Sequence, residues 1–411
     1  AMSENQVEDR RQALLAAYAA AVRAVEGEKV TADWLRANPM DGDVALIALG
    51  KAAGAMALGA RRVLGDRLQR GLVVTKQGHA DLRALDPGRI RVCEGAHPLP
   101  DERSLAAGEA LVGFVDGLPA DMPVLVLISG GASALVEVLR PGVALDDLAR
   151  TNDWLLANGL PIAQINAVRR RLSRLKGGGL AAMLGARPVT GLLISDVEGD
   201  DPAVIGSGPL NRPANTHLPD GLPDWLLAML PDDDAGPATV GSNLHVVLVA
   251  TLDDALAAAR AELQARGNAV RAHDTHIAGD VSQVVARVER DLHGEPGVVH
   301  LWGGEATVIL PPNPGRGGRN QQLALALAGR IDGETAAVVL CAGTDGTDGP
   351  TEDAGGLIDN RTVQRGEIEG LDIEDHLRRA DAGSYLEQTG DLITTGPTGT
   401  NVTDLLIAWH A

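Results

Sequence analysis

The fold is decided by the stretch from Pro123 to Ser133, which reads Pro-Val-Leu-Val-Leu-Ile-Ser-Gly-Gly-Ala-Ser. A short apolar run without alternation is typical of a strand buried on both faces of a parallel sheet. Gly130 and Gly131 predict a sharp turn at the end of this strand, where successive backbone amides can form an anion nest. An ordinary tight turn between strand and helix explains the same residues equally well.

Similar apolar runs recur along the chain and alternate with helical patterns. Such alternation predicts α/β units with mostly parallel sheets, in which ligands bind at the carboxyl ends of strands. Residues Asn211 to Pro237 are rich in Pro and Asp, and we interpret them as the crossing between domains. We therefore predict an N-terminal domain over residues 1–237 and a C-terminal domain over residues 238–411. In the latter, Val298–Trp302 and Ala306–Leu310 are predicted to form a hairpin.

The composition excludes several classes of protein. The 411 residues carry a net charge of -19 and only eight aromatic side chains, so a nucleic acid is not an expected partner. Cys93 and Cys341 are too few for a disulfide framework, which indicates a reducing, cytoplasmic location. No apolar run approaches the ~20 residues that a membrane span needs, and the acidic N-terminus does not indicate a signal peptide.

Lys51 is a candidate for phosphate binding. It follows the apolar run Asp43–Leu49 and lies at the predicted turn into a helix, where a cation opposes the positive end of the helix dipole. A bound nucleotide phosphate would offset that unfavourable interaction. The alternative is an exposed lysine that bends into solvent.

A second candidate is the loop from Pro311 to Arg319, Pro-Pro-Asn-Pro-Gly-Arg-Gly-Gly-Arg, which runs into a helical pattern. Asn320 is predicted to cap that helix. Helix amides and the guanidinium groups of Arg316 and Arg319 would then converge on one volume suited to a phosphate or carboxylate. Gly317 and Gly318 would let the ligand approach the backbone. The alternative is a solvated basic loop.

Acidic residues follow several strands. Asp345 and Asp348 lie in a glycine-rich loop and suit Mg²⁺, which prefers oxygen ligands together with substrate phosphates. Asp196 is nearest to its strand end and could instead orient or deprotonate a substrate hydroxyl. Turn capping is the alternative for such residues. Neither a P-loop motif nor a complete G-x-G-x-x-G fingerprint occurs.

Short motifs occur in a fixed order over nearly the whole chain. They are Gly50-Lys51-Ala52-Ala53, Glu94-Gly95-Ala96-His97-Pro98, Ser129-Gly130-Gly131-Ala132-Ser133, Asn166-Ala167-Val168-Arg169, Leu172-Ser173, Lys176-Gly177-Gly178, Ser195-Asp196-Val197, Gly206-Ser207-Gly208-Pro209, Gly303-Gly304-Glu305, Gly317-Gly318-Arg319-Asn320-Gln321, Thr344-Asp345-Gly346-Thr347-Asp348-Gly349 and Thr395-Gly396-Pro397-Thr398-Gly399-Thr400-Asn401. This ordered set resembles the glycerate 2-kinase family, whose C-terminal half is known as the MOFRL domain.

The resemblance implies an N-terminal Rossmann-like α/β/α sandwich and a C-terminal MOFRL domain with a mixed sheet, with the active site in the cleft between them. It implies ATP-dependent phosphorylation of D-glycerate at the 2-hydroxyl, giving 2-phosphoglycerate and ADP, with Mg²⁺. Monomer and homodimer both remain open. The predicted catalytic residues are Lys51, Arg319 and Asp196, and the predicted metal ligands are Asp345 and Asp348. The predicted substrate- and phosphate-binding residues are Ser129, Gly130, Gly131, Ser133, Gly317, Gly318, Asn320, Thr400 and Asn401.

Three alternatives stay open. Members of this family are also labelled hydroxypyruvate reductases, an activity that would require NAD(P)H and a dinucleotide site. A kinase for another small hydroxy acid and a non-catalytic acid-binding protein are the others.

Overall fold

The computed structural model describes residues 4–215, 217–231, 243–334 and 336–411. Its contacts divide the chain into two compact units. The N-terminal unit is Gly27–Val249, and the C-terminal unit combines Ala1–Glu26 with Ala250–Ala411. Within the described ranges, every helix is too short or too polar to cross a lipid bilayer.

The helices are α1 (Glu4–Ala24), α2 (Gly27–Ala37), α3 (Ala53–Leu64), α4 (Glu102–Asp116), α5 (Ala132–Leu135), α6 (Leu145–Ala157), α7 (Ile162–Leu172), α8 (Gly179–Leu184), α9 (Asp224–Leu227), α10 (Leu252–Ala265), α11 (Val281–Gly294), α12 (Arg319–Arg330), α13 (Thr362–Ile368), α14 (Ile373–Arg378) and α15 (Ala382–Thr389). The strands are β1 (Val44–Leu49), β2 (Leu68–Lys76), β3 (Ile90–Gly95), β4 (Val124–Ile128), β5 (Val189–Ile194), β6 (Leu244–Ala250), β7 (Val270–Ala272), β8 (Val299–Gly304), β9 (Ala337–Gly343), β10 (Gly355–Asp359), β11 (Leu392–Ile393) and β12 (Asp404–His410).

The N-terminal unit is built on a six-stranded sheet in the order β3-β2-β1-β4-β5-β6. The pairs β1–β2, β1–β4, β2–β3 and β4–β5 are all parallel. Every residue of β1 and β4 is buried, as the continuous apolar runs predict. This confirms the predicted α/β class with a mostly parallel first sheet. It also places the carboxyl ends of these strands along one edge.

The C-terminal unit contains a mixed sheet in the order β11-β10-β9-β12-β8-β7. Its central strand β12 is antiparallel to both β8 and β9, whereas β7 is parallel to β8. Helices α11, α12 and α15 supply Val288, Leu327 and Tyr385 to the core on one side of this sheet. The predicted mixed sheet in the second half of the chain is confirmed.

Helix α1 belongs to the C-terminal unit, which differs from the predicted division of the chain. Arg11 on this helix pairs with the buried carboxylates of Asp359 and Asp391, at 2.6 and 3.0 Å. The hydroxyl of Tyr18 donates to the carbonyl of Gly343 at 2.8 Å. These contacts join segments that are more than 300 residues apart in the sequence. Local sequence patterns do not reveal such contacts, and they therefore predict α1 in the N-terminal domain.

The predicted boundary at residues 237/238 lies outside the described residues. Strand β6, which the sequence analysis placed in the second domain, is instead the sixth strand of the first sheet, beside β5. Val246 packs over Gly191 of β5, where a Cβ would lie 3.4 Å from its Cγ2 atom. The chain thus leaves the N-terminal unit after β6 and not in the Pro-rich stretch.

The hairpin predicted for Ala306–Leu310 does not form. Both edges of β8 are already paired, with β7 on one side and β12 on the other. Thr307 makes only an isolated parallel bridge with Asp280, and the side chains of Ile309 and Leu310 are 87% and 62% exposed.

Candidate active site

Three loops from the sequence analysis lie at the carboxyl edge of the first sheet. Lys51 follows β1, Gly130 follows β4 and Asp196 follows β5. Strands β1 and β4 pair directly, with Leu49 opposite Ile128 at their carboxyl ends. The strand order reverses between these two strands, and such a switch point is where open α/β sheets bind ligands.

Lys51 packs against the glycine turn that follows β4. Its backbone N–H donates to the carbonyl of Gly130 at 2.9 Å. Gly131 has a φ of +87°, the left-handed region that favours glycine. A Cβ at this position would lie 3.1 Å from Cγ of Lys51 and 3.3 Å from Cδ2 of His97. The absence of a side chain at Gly131 therefore lets Lys51 and His97 approach the same turn.

A cavity of about 160 Å³ adjoins this turn, lined by charged and polar side chains from several elements. Among its lining residues are His97, Gly131, Ser133, Glu137, Arg169 and Lys176. Burial lowers the pKa of Arg169, although the carboxylate of Glu137 opposes that shift. Arg169 also donates from Nε to the Asn152 side chain at 2.7 Å, which fixes its direction. The cavity is therefore polar, and its charged groups are held in place.

Glu137 and Lys176 form an ion pair that is almost fully buried, with side-chain exposures of 2% and 4%. The carboxylate also accepts from the hydroxyl of Ser173 at 2.6 Å and from the backbone of Val138 at 2.9 Å. The ammonium of Lys176 donates to the carbonyl of Ser133 at 3.2 Å. A buried pair with such additional hydrogen bonds holds the turn after β4 against the segment that follows α7.

The side chain of Ser129 serves the backbone. It is fully buried, and its Oγ accepts from the N–H of Ala52 at 3.0 Å. Ser133, by contrast, lines the cavity and shares a 2.7 Å hydrogen bond with Ser207. The structure thus gives Ser129 the task of tying β4 to the turn that carries Lys51. The predicted anion contact, through the backbone amides of Ser129–Ser133, stays a prediction.

In the C-terminal unit, Arg319 opens α12 and is held by two carboxylates of the chain. Its Nε and Nη2 bind both oxygens of Asp404, at 2.6 and 3.0 Å, and its Nη1 lies 2.6 Å from Glu305. Burial alone would lower the pKa of Arg319, but these carboxylates outweigh it and the pKa is raised. The guanidinium is therefore charged and oriented without an external anion.

The N-terminus of α12 is capped by Asp348. Its two carboxylate oxygens accept from the backbone N–H groups of Asn320 and Gln321, at 3.0 and 2.8 Å. Burial raises the pKa of Asp348 to about 6, even though these hydrogen bonds favour the charged form. The anion expected at this helix end is thus supplied by the chain itself. The prediction that Asn320 caps the helix is wrong, because the structure places it inside α12.

The two arginines of the glycine-rich loop have different partners. Arg316 pairs with Asp353 and Glu387, each at 2.7 Å, and so does not join Arg319 on a common anion. A Cβ on Gly318 would lie 2.4 Å from the carboxylate carbon of Asp348. The absence of a side chain at Gly318 therefore lets the backbone approach Asp348 closely, and a binding role for Gly318 stays a prediction.

Arg319 nevertheless borders open space. A cavity of about 370 Å³ is lined by Arg319, Gly317, Gly318 and Glu305, together with apolar side chains such as Val308 and Leu310. Glu305 is half exposed, whereas Asp404 is buried. Of the two carboxylates on Arg319, only that of Glu305 faces solvent to a large extent.

Known protein families and individual relatives match most of this chain. The model of a domain of unknown function (DUF4147) matches residues 13–219, and the model of the MOFRL family matches residues 298–404. The D-glycerate 2-kinase of Thermotoga maritima is 34% identical over 89% of this chain and 90% of its own length. The chain belongs to the glycerate 2-kinase family.

Two further relatives agree with this assignment. The glycerate 2-kinase of Pyrococcus horikoshii is 34% identical over 89% of this chain and 87% of its own length. A crystal structure of a glycerate kinase from Thermotoga maritima superposes with a TM-score of 0.82 at 30% identity, covering 98% of this chain and all of that one. The resemblance stated from the motifs is thereby confirmed.

Two residues of the family motif near the C-terminus have structural partners. Thr400 is buried, and its hydroxyl donates to the carbonyl of Val25, just after α1, at 2.6 Å. The side chain of Asn401 accepts from the backbone of Thr403 at 3.3 Å. These contacts tie the loop before β12 to the end of α1. A binding role for Thr400 and Asn401 stays a prediction.

The predicted metal ligands Asp345 and Asp348 lie in the loop between β9 and β10. Asp348 is buried, and its two oxygens accept hydrogen bonds from the start of α12, so a metal role for Asp348 stays a prediction from the sequence. Asp345 accepts from the backbone of Thr347 at 3.0 Å within the same loop. A metal role for Asp345 stays a prediction from the sequence.

The structure adds residues that the sequence analysis did not assign to the site. Glu137, Arg169 and Lys176 line the cavity beside Lys51, as does His97. Three of these residues lie in motifs that carry the family resemblance. The segment Asn166–Lys176 carries four arginines and one lysine, a charge pattern that favours a solvated helix face for most of the arginines and leaves a ligand role open for the others. Only the family motif singles out Arg169. Glu137 lies in none of the motifs.

Proposed function

We propose that this protein is an ATP-dependent kinase that phosphorylates D-glycerate at its 2-hydroxyl, giving 2-phosphoglycerate and ADP. The observation that carries the proposal is the match to named glycerate 2-kinases over about nine-tenths of the chain. A cytoplasmic location, and a monomer or homodimer as the working form, belong to the same proposal.

Phosphoryl transfer requires a protein chiefly to position its substrates and to neutralise charge. Lys51 supports this role because it is a cation at the switch point of a parallel sheet, beside a glycine turn. We assign it to the phosphates of ATP. Backbone amides of the Gly130–Gly131 turn are the accompanying donors, because the Ser129 side chain is already used.

Arg319 is assigned to an anionic group of the substrates. Asp404 holds Nε and Nη2 and fixes the plane of the guanidinium. Nη1 contacts the half-exposed Glu305, so this is the nitrogen that a phosphate or carboxylate would take by displacing Glu305. That Lys51 and Arg319 act on the same ligand stays a prediction from the family resemblance.

Asp196 is the proposed partner of the 2-hydroxyl, which it would orient or deprotonate. It follows β5 at the same sheet edge as Lys51 and is half buried. When bound with ATP, Mg²⁺ would neutralise charge on the phosphates. Because the oxygens of Asp348 already accept hydrogen bonds from α12, no step of this proposal depends on a carboxylate that holds the metal.

The test compares four single variants in an assay of ADP release that depends on D-glycerate. Lys51→Ala and Arg319→Ala are each expected to lower kcat at least ~100-fold, the usual scale for losing a charge partner in the transition state. The matched controls are Lys29→Ala, an exposed lysine of the same unit, and Arg316→Ala, in the same loop as Arg319. Near-normal turnover in either site variant would reject its assignment.

The reductase alternative is tested with the same enzyme. Some relatives that align with most of the chain carry the name of hydroxypyruvate reductase. That activity would consume NAD(P)H with hydroxypyruvate in the absence of ATP. We expect no such consumption, since the complete dinucleotide fingerprint is missing from the sequence. A non-catalytic acid-binding protein would bind glycerate without turnover.

A further inference from the structure

A cluster of two histidines and one glutamate lies in the C-terminal unit and has no part in the proposed kinase chemistry. His293 is in the last turn of α11, Glu334 follows α12, and His410 ends β12. Their ligand atoms all lie within 4.8 Å of one another. Three different elements thus bring two imidazoles and one carboxylate together.

Each of the two imidazoles contacts a different oxygen of the Glu334 carboxylate. Nε2 of His293 lies 2.8 Å from Oε1 of Glu334, and Nε2 of His410 lies 2.8 Å from Oε2. The rings meet edge to face, with centroids 5.1 Å apart. In a tetrahedral zinc site with metal–ligand bonds of about 2.0–2.1 Å, ligand atoms are roughly 3.3 Å apart. Shifts of about half an ångström at these contacts would admit an ion.

The hydrogen bonding of the cluster is incomplete. Oε2 of Glu334 is buried and accepts no hydrogen bond from the described residues, although His410 is in contact with it. Nδ1 of His410 is likewise buried without a hydrogen-bond partner in the described parts of the chain. A buried carboxylate oxygen without a donor is unfavourable, and such atoms in native proteins commonly mark an ion or water.

Hydrogen bonds to the backbone fix the segments that carry Glu334 and His410. The side-chain amide of Asn360 donates to the carbonyl of Glu334 at 2.7 Å, and the N–H of Gly297 donates to the carbonyl of His410 at 2.8 Å. His293 belongs to the last turn of the regular helix α11. All three side chains therefore extend from anchored backbone.

We propose that His293, Glu334 and His410 form a binding site for one Zn²⁺ ion. Two imidazole nitrogens and one carboxylate are a donor set that zinc accepts, whereas Mg²⁺ prefers oxygen ligands alone. Three protein ligands leave a fourth position for water. The ion would tie the end of α11 and the end of β12 to the turn that follows α12.

The test uses the full chain, freed of metal with a chelator, and titrates it with ZnCl₂ by calorimetry at neutral pH. Wild type is expected to bind one Zn²⁺ per chain. His293→Gln and Glu334→Gln are each expected to weaken binding at least ~10-fold, the lower end of the loss seen when zinc sites are altered. The control is His217→Gln, which changes an exposed histidine of the other unit.

Two further readouts distinguish a tetrahedral site at these three side chains from nonspecific binding of the ion elsewhere on the surface. Co²⁺ should give the visible absorption of a tetrahedral nitrogen and oxygen site in wild type and in the His217 control, but not in His293→Gln. Zn²⁺ should raise the thermal unfolding midpoint of wild type and of the His217→Gln control, but not that of His293→Gln. Because the His293 side chain is 44% exposed, its substitution leaves the core intact. Failure of wild type to bind Zn²⁺, or binding that survives unchanged in both site variants, would overturn the proposal.

Discussion

Replacing Gly131 by alanine should separate a local effect on Lys51 from a general loss of stability. Gly131 has a φ of +87°, and an added Cβ would lie 3.1 Å from Cγ of Lys51 and 3.3 Å from Cδ2 of His97. Carbon atoms in contact prefer about 3.5–4.0 Å, so Lys51 or the turn must move by a few tenths of an ångström. We expect this movement to impair catalysis.

The magnitudes follow from the backbone and from the contacts. A left-handed residue with a Cβ costs about 1–2 kcal/mol, and the stiffer unfolded chain returns about 0.4–1 kcal/mol. The net loss is about 1 kcal/mol, or about 2–4 °C in Tm for a unit of this size. Misplacing a catalytic group by a fraction of an ångström up to 1 Å should lower kcat/KM between ~10-fold and ~100-fold.

The control is Gly142→Ala. Gly142 has a φ of +85°, and a Cβ there would meet no atom of the described residues within 4 Å. Both variants therefore carry the same backbone cost, and only Gly131→Ala disturbs Lys51. The assay is ADP release at varied ATP and D-glycerate, with Tm measured in parallel. Equal kcat/KM in the two variants would refute the role given to the turn around Lys51.

Two predictions concern stability. Burial raises the pKa of Asp348 to about 6 from its ordinary value near 3.8. The protonated side chain therefore contributes most to stability at pH values below 3.8, and this contribution is lost as the pH rises through 6. Relative to Asp348→Asn, which cannot ionise, wild type should lose roughly 2–3 kcal/mol between pH 4 and pH 7 in urea unfolding, and parallel pH profiles would contradict this. Glu137→Gln leaves Lys176 charged and buried and should cost about 3–5 kcal/mol. The double variant with Lys176→Met should recover part of that loss, and a single variant as stable as wild type would exclude a structural role for the pair.

The first sheet could be predicted from local sequence because its signals are local. The runs before Lys51 and before Ser129 are continuously apolar, and each is followed closely by glycine. A strand that is buried on both faces can be identified from its own continuous apolar run. The loop that follows it then lies at the carboxyl edge of the sheet. The sequence therefore correctly predicts Lys51 and Gly131 at the carboxyl edge of the sheet.

Pairings over long sequence distances could not be predicted in this way. Arg319 was expected to require an external anion, but its partner Asp404 comes 85 residues later in the chain. The cap of α12 is Asp348, 28 residues beyond Asn320, so the local pattern pointed to the wrong capping residue. In each case the local sequence indicates a positively charged site, at Arg319 or at the start of α12. The carboxylate that pairs with it depends on how the sheet brings distant loops together.

The compact units differ from the predicted division of the chain for the same reason. Pro-rich and Asp-rich composition marks a loop, but it does not say which sheet the next strand will join. Strand β6 follows that loop and still pairs beside β5, and α1 precedes the first sheet but is held by Asp359 and Asp391. Motif order over the whole chain was the signal that gave the family correctly.

The identity of the phosphorylated product tests the proposed kinase activity most directly. The enzyme is incubated with ATP, Mg²⁺ and D-glycerate, and the product is examined by phosphorus NMR and by coupling to enolase, which uses 2-phosphoglycerate directly. We expect 2-phosphoglycerate in amounts equal to the ADP released. Formation of 3-phosphoglycerate, or ADP release that does not depend on glycerate, would contradict it.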